Sequence, residues 1–205
     1  MLCGGAEDGS MSRLHTSFVL GFHGCDSATG ESVLAGRAAL NASDEQYDWL
    51  GPGVYFWEAD PKRAWEWADW KVSKGRYDTS FVVGAVIDLG TCLDLLSRRS
   101  LETLVDAYES LKATHDADPT LGPLPSNKKA SSHDEDHLLR YLDCAVIRRL
   151  HAAMDDAGEP FETVRGLFTE GRELFPGSGF RQKTHVQIAV RSQDNIKGYF
   201  RVNRP

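Results

Sequence analysis

Apolar positions along the chain fall into two periods. Residues 16–23 (TSFVLGFH) form an apolar and aromatic run closed by Gly24, and residues 80–89 (SFVVGAVIDL) are short and rich in β-branched side chains, so both predict strands. The first is expected to end at His23 in a tight turn. Residues 184–191 (THVQIAVR) alternate, which sets His185, Gln187 and Ala189 on one face and Val186, Ile188 and Val190 on the other. Residues 196–202 predict a last strand. The 3.6-residue period appears in Ala64, Trp65, Ala68 and Val72, with Asp60 placed to cap that helix and Pro61 to start it. Further helices are predicted over residues 31–40, 98–113 and 135–155. The last of these carries Leu138, Leu142, Ala145, Val146, Leu150 and Ala153 on one face and should be the longest. Residues 41–50 read as a polar connection, 161–174 as ambiguous, and 175–180 (FPGSGF) as a turn. Strands that do not alternate with helices argue for an α+β fold rather than a doubly wound parallel sheet.

Composition narrows the function classes. With 205 residues and 41% apolar side chains, the chain suits one domain with a single core. Residues 114–134, which include three prolines, read as a flexible excursion from it. A net charge of −7 argues against an extended duplex-binding surface, though not against a local nucleic-acid site. No apolar run approaches the roughly 18–20 residues that span a bilayer. Residues 1–12 are acidic and glycine-bearing where an export signal would be basic and then apolar, so a cytoplasmic location is expected.

Several chemistries lack their residues. There is neither a dinucleotide-binding glycine triplet nor a phosphate loop. Cys3, Cys25, Cys92 and Cys144 are scattered singly, which predicts reduced thiols and no metal knuckle. His23 and Cys25 suggest a nucleophile pair, but residues two apart on a strand rarely meet in catalytic hydrogen-bonding geometry. His133 and His137 have helical spacing beside Asp134, Glu135 and Asp136, and read as a solvated helix start rather than a metal site.

Two glycine-punctuated segments remain, Gly21-Phe22-His23-Gly24-Cys25 and Gly51-Pro52-Gly53-Val54-Tyr55-Phe56-Trp57. Taken with the late strand at 184–191, they resemble the poly(ADP-ribose) polymerase-like branch of the ADP-ribosyltransferases, the diphtheria-toxin-type His-Tyr-Glu class. The family's His-Gly-Ser/Thr motif is matched by His23-Gly24, with Cys25 in the third place. Its Gly-x-Gly-(Ile/Val)-Tyr-Phe motif is matched by Gly51, Gly53, Val54, Tyr55 and Phe56, and a helix follows. The late strand departs from the pattern, because residues 184–191 hold no acid where polymerising members have glutamate. Gln187 is the favoured occupant of that place and His185 the alternative, while Glu170 or Glu173 could bring an acid from the preceding segment.

The resemblance implies one ADP-ribosyltransferase-like domain over residues 1–205, built on a split mixed or antiparallel sheet. It also implies NAD+ as co-substrate and no metal. The family's roles fall on His23 for the adenosine ribose, on the Gly24 backbone for the nicotinamide carboxamide and on Tyr55 for the nicotinamide end. Cys25 and Gly53 complete the motif positions. Trp67, or else Trp65, would stack on the nicotinamide ring. With the glutamate missing, single transfer to a macromolecular acceptor is expected rather than polymer growth. Arg172, Arg181, Lys183 and Arg191 suggest a basic rim for a single-stranded nucleic acid, and a protein acceptor is equally compatible. A compact bacterial mono-transferase of this kind would suit a toxin or defence effector, with an antitoxin as partner. The rival readings are a catalytically silent NAD+ or ADP-ribose binding module and an NAD+ glycohydrolase.

Overall fold

The structure is a computed structural model that describes residues 18–132, 134 and 136–204. Strand β1 (Phe18–Asp26) lies between β2 (Val54–Glu58) and β3 (Ser80–Asp88), and β7 (Ile196–Arg201) pairs with the far side of β3. Beyond β2 follow β6 (His185–Val190), β5 (Thr163–Phe168) and the short β4 (Cys92–Asp94). Of these pairings only β4 with β5 is parallel. The fold is α+β, with one mixed seven-stranded sheet and four α-helices among the described residues.

Helix α1 (Ser27–Leu34) covers one sheet face, where Phe56, Val83, Ile87 and Ile188 pack with Val33 and Leu40. On that face Arg165 also clamps Glu58 through two guanidinium nitrogens and reaches Asp94, tying β5 to β2 and β4. The other face carries two separate helical blocks. Over β1 and β3 lies α2 (Pro61–Ser73), whose Ala64 and Trp65 bury against Phe22, Trp57 and Val82. Over β5 and β6 lie α3 (Arg98–Ala117) and α4 (Tyr141–Asp156), packed through Ala107, Ile147 and Leu150 on Val164 and Ala189. The mid-sheet strip that holds Trp57, Gln187 and His185 lies between the two blocks.

Several sequence expectations are corrected. Strand β1 does not turn at Gly24 but pairs with β3 as far as Asp26, whose carboxylate then accepts the Ala28 N–H and starts α1. That helix spans Ser27–Leu34 rather than 31–40, because the chain turns at Gly36 in the left-handed region (φ 68°). The longest helix is α3 with 20 residues, which takes in the first part of the expected excursion. The remainder of that stretch is pinned where the Asn127 side-chain oxygen accepts the N–H groups of Leu142 and Asp143, an N-terminal anchor for α4. Helix α4 accordingly starts at Tyr141, and His137 and Leu138 precede it as non-helical chain. The ambiguous 161–174 segment supplies β5, and β4 was not foreseen. Asp60 does cap α2, accepting the Arg63 N–H at 3.0 Å. Among the described residues, no helix is long and apolar enough to cross a membrane. The expectations on Cys3 and His133 fall outside the described residues.

Candidate functional site

Pairing between β1 and β2 stops after Gly21–Glu58 and Phe22–Trp57, and the two strands then splay apart. The Leu20 carbonyl accepts from the Ala59 N–H, so Leu20 turns its peptide groups toward β2. By strand alternation Phe22 and Gly24 do the same. Gly24 therefore directs one N–H and one C=O into the splay, where the ladder offers them no strand partner. A side chain cannot stand there: a Cβ on Gly24 would lie 2.4 Å from the Ala64 carbonyl oxygen and 3.3 Å from the Trp67 ring. Glycine thus lets α2 press its backbone and Trp67 onto β1.

His23 bridges the mouth of the splay. Its Nδ1 lies 2.8 Å from the Tyr55 carbonyl oxygen. A carbonyl can only accept, so Nδ1 carries the proton and Nε2 keeps a lone pair. Burial, opposed by the bond to Tyr55, lowers the imidazole pKa and favours the neutral ring. The Tyr55 phenol points to the opposite sheet face, into the cluster under α4, where it donates to the Gly51 carbonyl at 2.8 Å and accepts the Leu50 N–H at 3.0 Å. His23 and Tyr55 therefore meet through the Tyr55 backbone and not through the phenol. Burial first, then Asp48, raises the phenol pKa well above its ordinary value.

The face that carries Gly24 holds a continuous aromatic belt. Trp70 stacks on Trp67 (5.0 Å), Trp67 leans on Trp57 (6.0 Å), Trp57 on His185 (6.3 Å), His185 on Phe168 (5.4 Å), and Phe168 on Trp49 (5.1 Å). Gln187 sits within it, paired with Trp57 on one side and Gly166 on the other. Its side-chain oxygen accepts the Trp49 indole N–H at 2.7 Å. Trp49 packs against Gly166, where a Cβ would come within 2.9 Å of the indole. Because that oxygen is engaged, the Gln187 amide offers the cleft an N–H donor. His185 bonds the Lys183 carbonyl through Nδ1 at 2.6 Å, and burial lowers its pKa.

The other expected residues are distributed as follows. Trp67 is 37% exposed and borders Gly24, whereas Trp65 is buried in the core beneath α2. Gly53 permits close backbone contact, since a Cβ would lie 2.9 Å from the Val190 carbonyl oxygen. Cys25 is buried under α1 on the far face, and burial with Asp26 nearby pushes its thiol up to about 12, unsuited to a nucleophile. Glu170 comes to the first turn of α2, where it pairs with Arg63 at 3.0 Å and with Lys183 at 3.8 Å. Glu173 lies in the following loop, where its carboxylate accepts the Gly177 N–H at 2.9 Å. Of the expected basic rim, Arg191 is turned to the far end of the sheet and bonds Asp155 and the Phe161 carbonyl. Among the described residues no group of three or more His, Cys, Asp or Glu side chains is placed to hold a metal.

Trp49, Trp57 and Phe168 were missed by sequence reasoning. Trp57 was recoverable, since it lies two residues after Tyr55 on a strand and so shares its face. Trp49 sits in a polar connection, and only folding brings it to Gln187, 138 residues away. No protein-family model, curated protein or solved structure matches the chain.

Proposed function

We propose that the chain is an NAD+-dependent ADP-ribosyltransferase of the poly(ADP-ribose) polymerase-like kind, with an ADP-ribosyltransferase-like fold, that moves a single ADP-ribose to a macromolecular acceptor. The observation that carries the reading is the Gly24 peptide, whose N–H and C=O face the splay beside His23 with no β2 ladder partner among the described residues. A nicotinamide carboxamide offers one acceptor and one donor, the complement of that peptide pair. The Trp67 indole beside Gly24 suits a cationic pyridinium ring. The His23 Nε2 lone pair suits a ribose hydroxyl.

In the reaction the bond from the ribose C1′ to the pyridinium nitrogen breaks and its electron pair leaves with nicotinamide. The acceptor's nucleophile then bonds C1′ and loses its proton. This chain's residues hold the carboxamide and the sugar and exclude water with the aromatic belt, so that binding is strongest as the bond breaks.

One observation favours binding without turnover. The Gln187 oxygen is held by Trp49 and Glu170 is held by Arg63, so neither presents a free carboxylate. Incubation with labelled NAD+ and cell extract separates the readings. Nicotinamide release with label in the protein, RNA or DNA fraction, lost in Trp67→Ala, supports transfer and names the acceptor class. Release without label means hydrolysis, and binding without release means a silent module.

A further inference from the structure

Two polar atoms on the belt have no hydrogen-bond partner among the described residues although both side chains belong to residues more than nine-tenths buried: Trp57 Nε1 and His185 Nε2, each residue only 6% exposed. Buried polar atoms in folded chains are nearly always paired, so two in adjoining rings call for a ligand. They are chemically complementary. The indole N–H can only donate, while Nε2 can only accept, because Nδ1–H is committed to the Lys183 carbonyl. They do not satisfy one another, the ring centroids being 6.3 Å apart at 55°.

We propose that Trp57 and His185 form the seat of a ribose cis-diol, the indole N–H donating to one hydroxyl and His185 Nε2 accepting from its neighbour. The inference rests on the NAD+ reading and names what stands in for the acid that the third motif lacks. Adjacent hydroxyls are the simplest group that accepts at one atom and donates at the next. Gln187, the next residue on the same face of β6, adds an amide N–H beside them. Both atoms lie beneath the aromatic surface, so the sugar must part the rings, a side-chain rearrangement common at binding sites. As the bond to nicotinamide breaks, the ribose becomes electron-poor and its hydroxyl a stronger donor. The contact to His185 then tightens in the transition state without a proton changing hands.

The test is NAD+ titration by calorimetry of the full chain, with Trp57→Phe and His185→Leu, together with the His185 Nε2 nitrogen resonance. Each substitution removes one of the unpartnered atoms, but His185→Leu also gives up the bond to the Lys183 carbonyl and Trp57→Phe leaves space in a packed cluster, so both variants should stay folded at a somewhat lower melting temperature while binding NAD+ at least tenfold more weakly. The Nε2 resonance should move on NAD+ addition. NAD+ analogues lacking the 2′- or the 3′-hydroxyl on the nicotinamide side should bind the parent as weakly, and at least one should be indifferent to His185→Leu. If His185→Leu fails to fold, His185→Phe, which keeps a ring but no acceptor, and the analogues carry the same comparison. Unchanged affinity in both variants with an unmoved resonance overturns the inference and leaves the NAD+ reading standing. Failure of NAD+ to bind the parent overturns that reading first, and this inference with it.

Discussion

The Trp49 indole donates to the side-chain oxygen of Gln187 at 2.7 Å, so a polar side chain of β6 in the middle of the cleft is oriented by a residue from a distant connection. Gln187→Glu keeps an oxygen for Trp49 and adds a second, charged one facing the cleft. Exchanging a neutral for a charge-assisted contact is worth about 1.4 kcal/mol, or roughly tenfold in rate. Nicotinamide release by this variant is therefore expected to rise by about that factor. A rate equal to or below that of the parent would mean that this position does not limit turnover.

Gly24 marks a close approach of β1 and α2. In Gly24→Ala the new methyl would lie 2.4 Å from the Ala64 carbonyl oxygen, which belongs to helix backbone and cannot swing aside. The expected cost is about 1–3 kcal/mol of folding stability, and α2 must shift away from the splay. NAD+ affinity should fall with it. Urea midpoints and calorimetric titration read the two effects, and a variant that keeps both parent values would show that α2 yields freely.

Tyr55 divides its roles between backbone and side chain. Tyr55→Phe leaves the carbonyl that His23 meets but strips the partner of the Leu50 N–H and the Gly51 carbonyl. Stability should drop by about 1–3 kcal/mol. NAD+ affinity should stay within about threefold, or roughly 0.7 kcal/mol. A large affinity loss at intact stability would instead place the phenol against the ligand.

Much of this arrangement was legible along the chain, and the exceptions have physical reasons. The period-two pattern of 184–191 placed His185, Gln187 and Ala189 on one face, and the register opposite Trp57 and Tyr55 agrees. The Asp60–Pro61 start of α2 was equally plain, because capping is local. Gly24 was misread as a turn because a glycine required by a neighbouring helix looks the same in sequence as one required by a bend. Glu170 was legible as an acid near the site, but its pairing with Arg63, 107 residues away, was not. Helix α4 starts late because the Asn127 side chain, not the apolar stripe, fixes its first turn.

The remaining prediction concerns His151, on the buried face of α4, with neither ring nitrogen partnered among the described residues and edge-on to Phe161 at 6.3 Å. Burial pushes its pKa down to about 4, Arg191 and Arg148 add to the effect, and Asp155 opposes it. In the unfolded chain the imidazole titrates near 6.5. Between these values the unfolded chain binds the proton and the folded chain does not, so stability is complete above about pH 6.5 and falls as the pH drops toward 4. The loss amounts to on the order of 3 kcal/mol across that window. His23 and His185 also have lowered values and add to the slope, so the His151 share is read from a variant. In His151→Leu the urea midpoint should decline less between pH 7 and pH 4 than in the parent. Parallel declines in parent and variant would show that this imidazole accepts its proton without unfolding the chain around it.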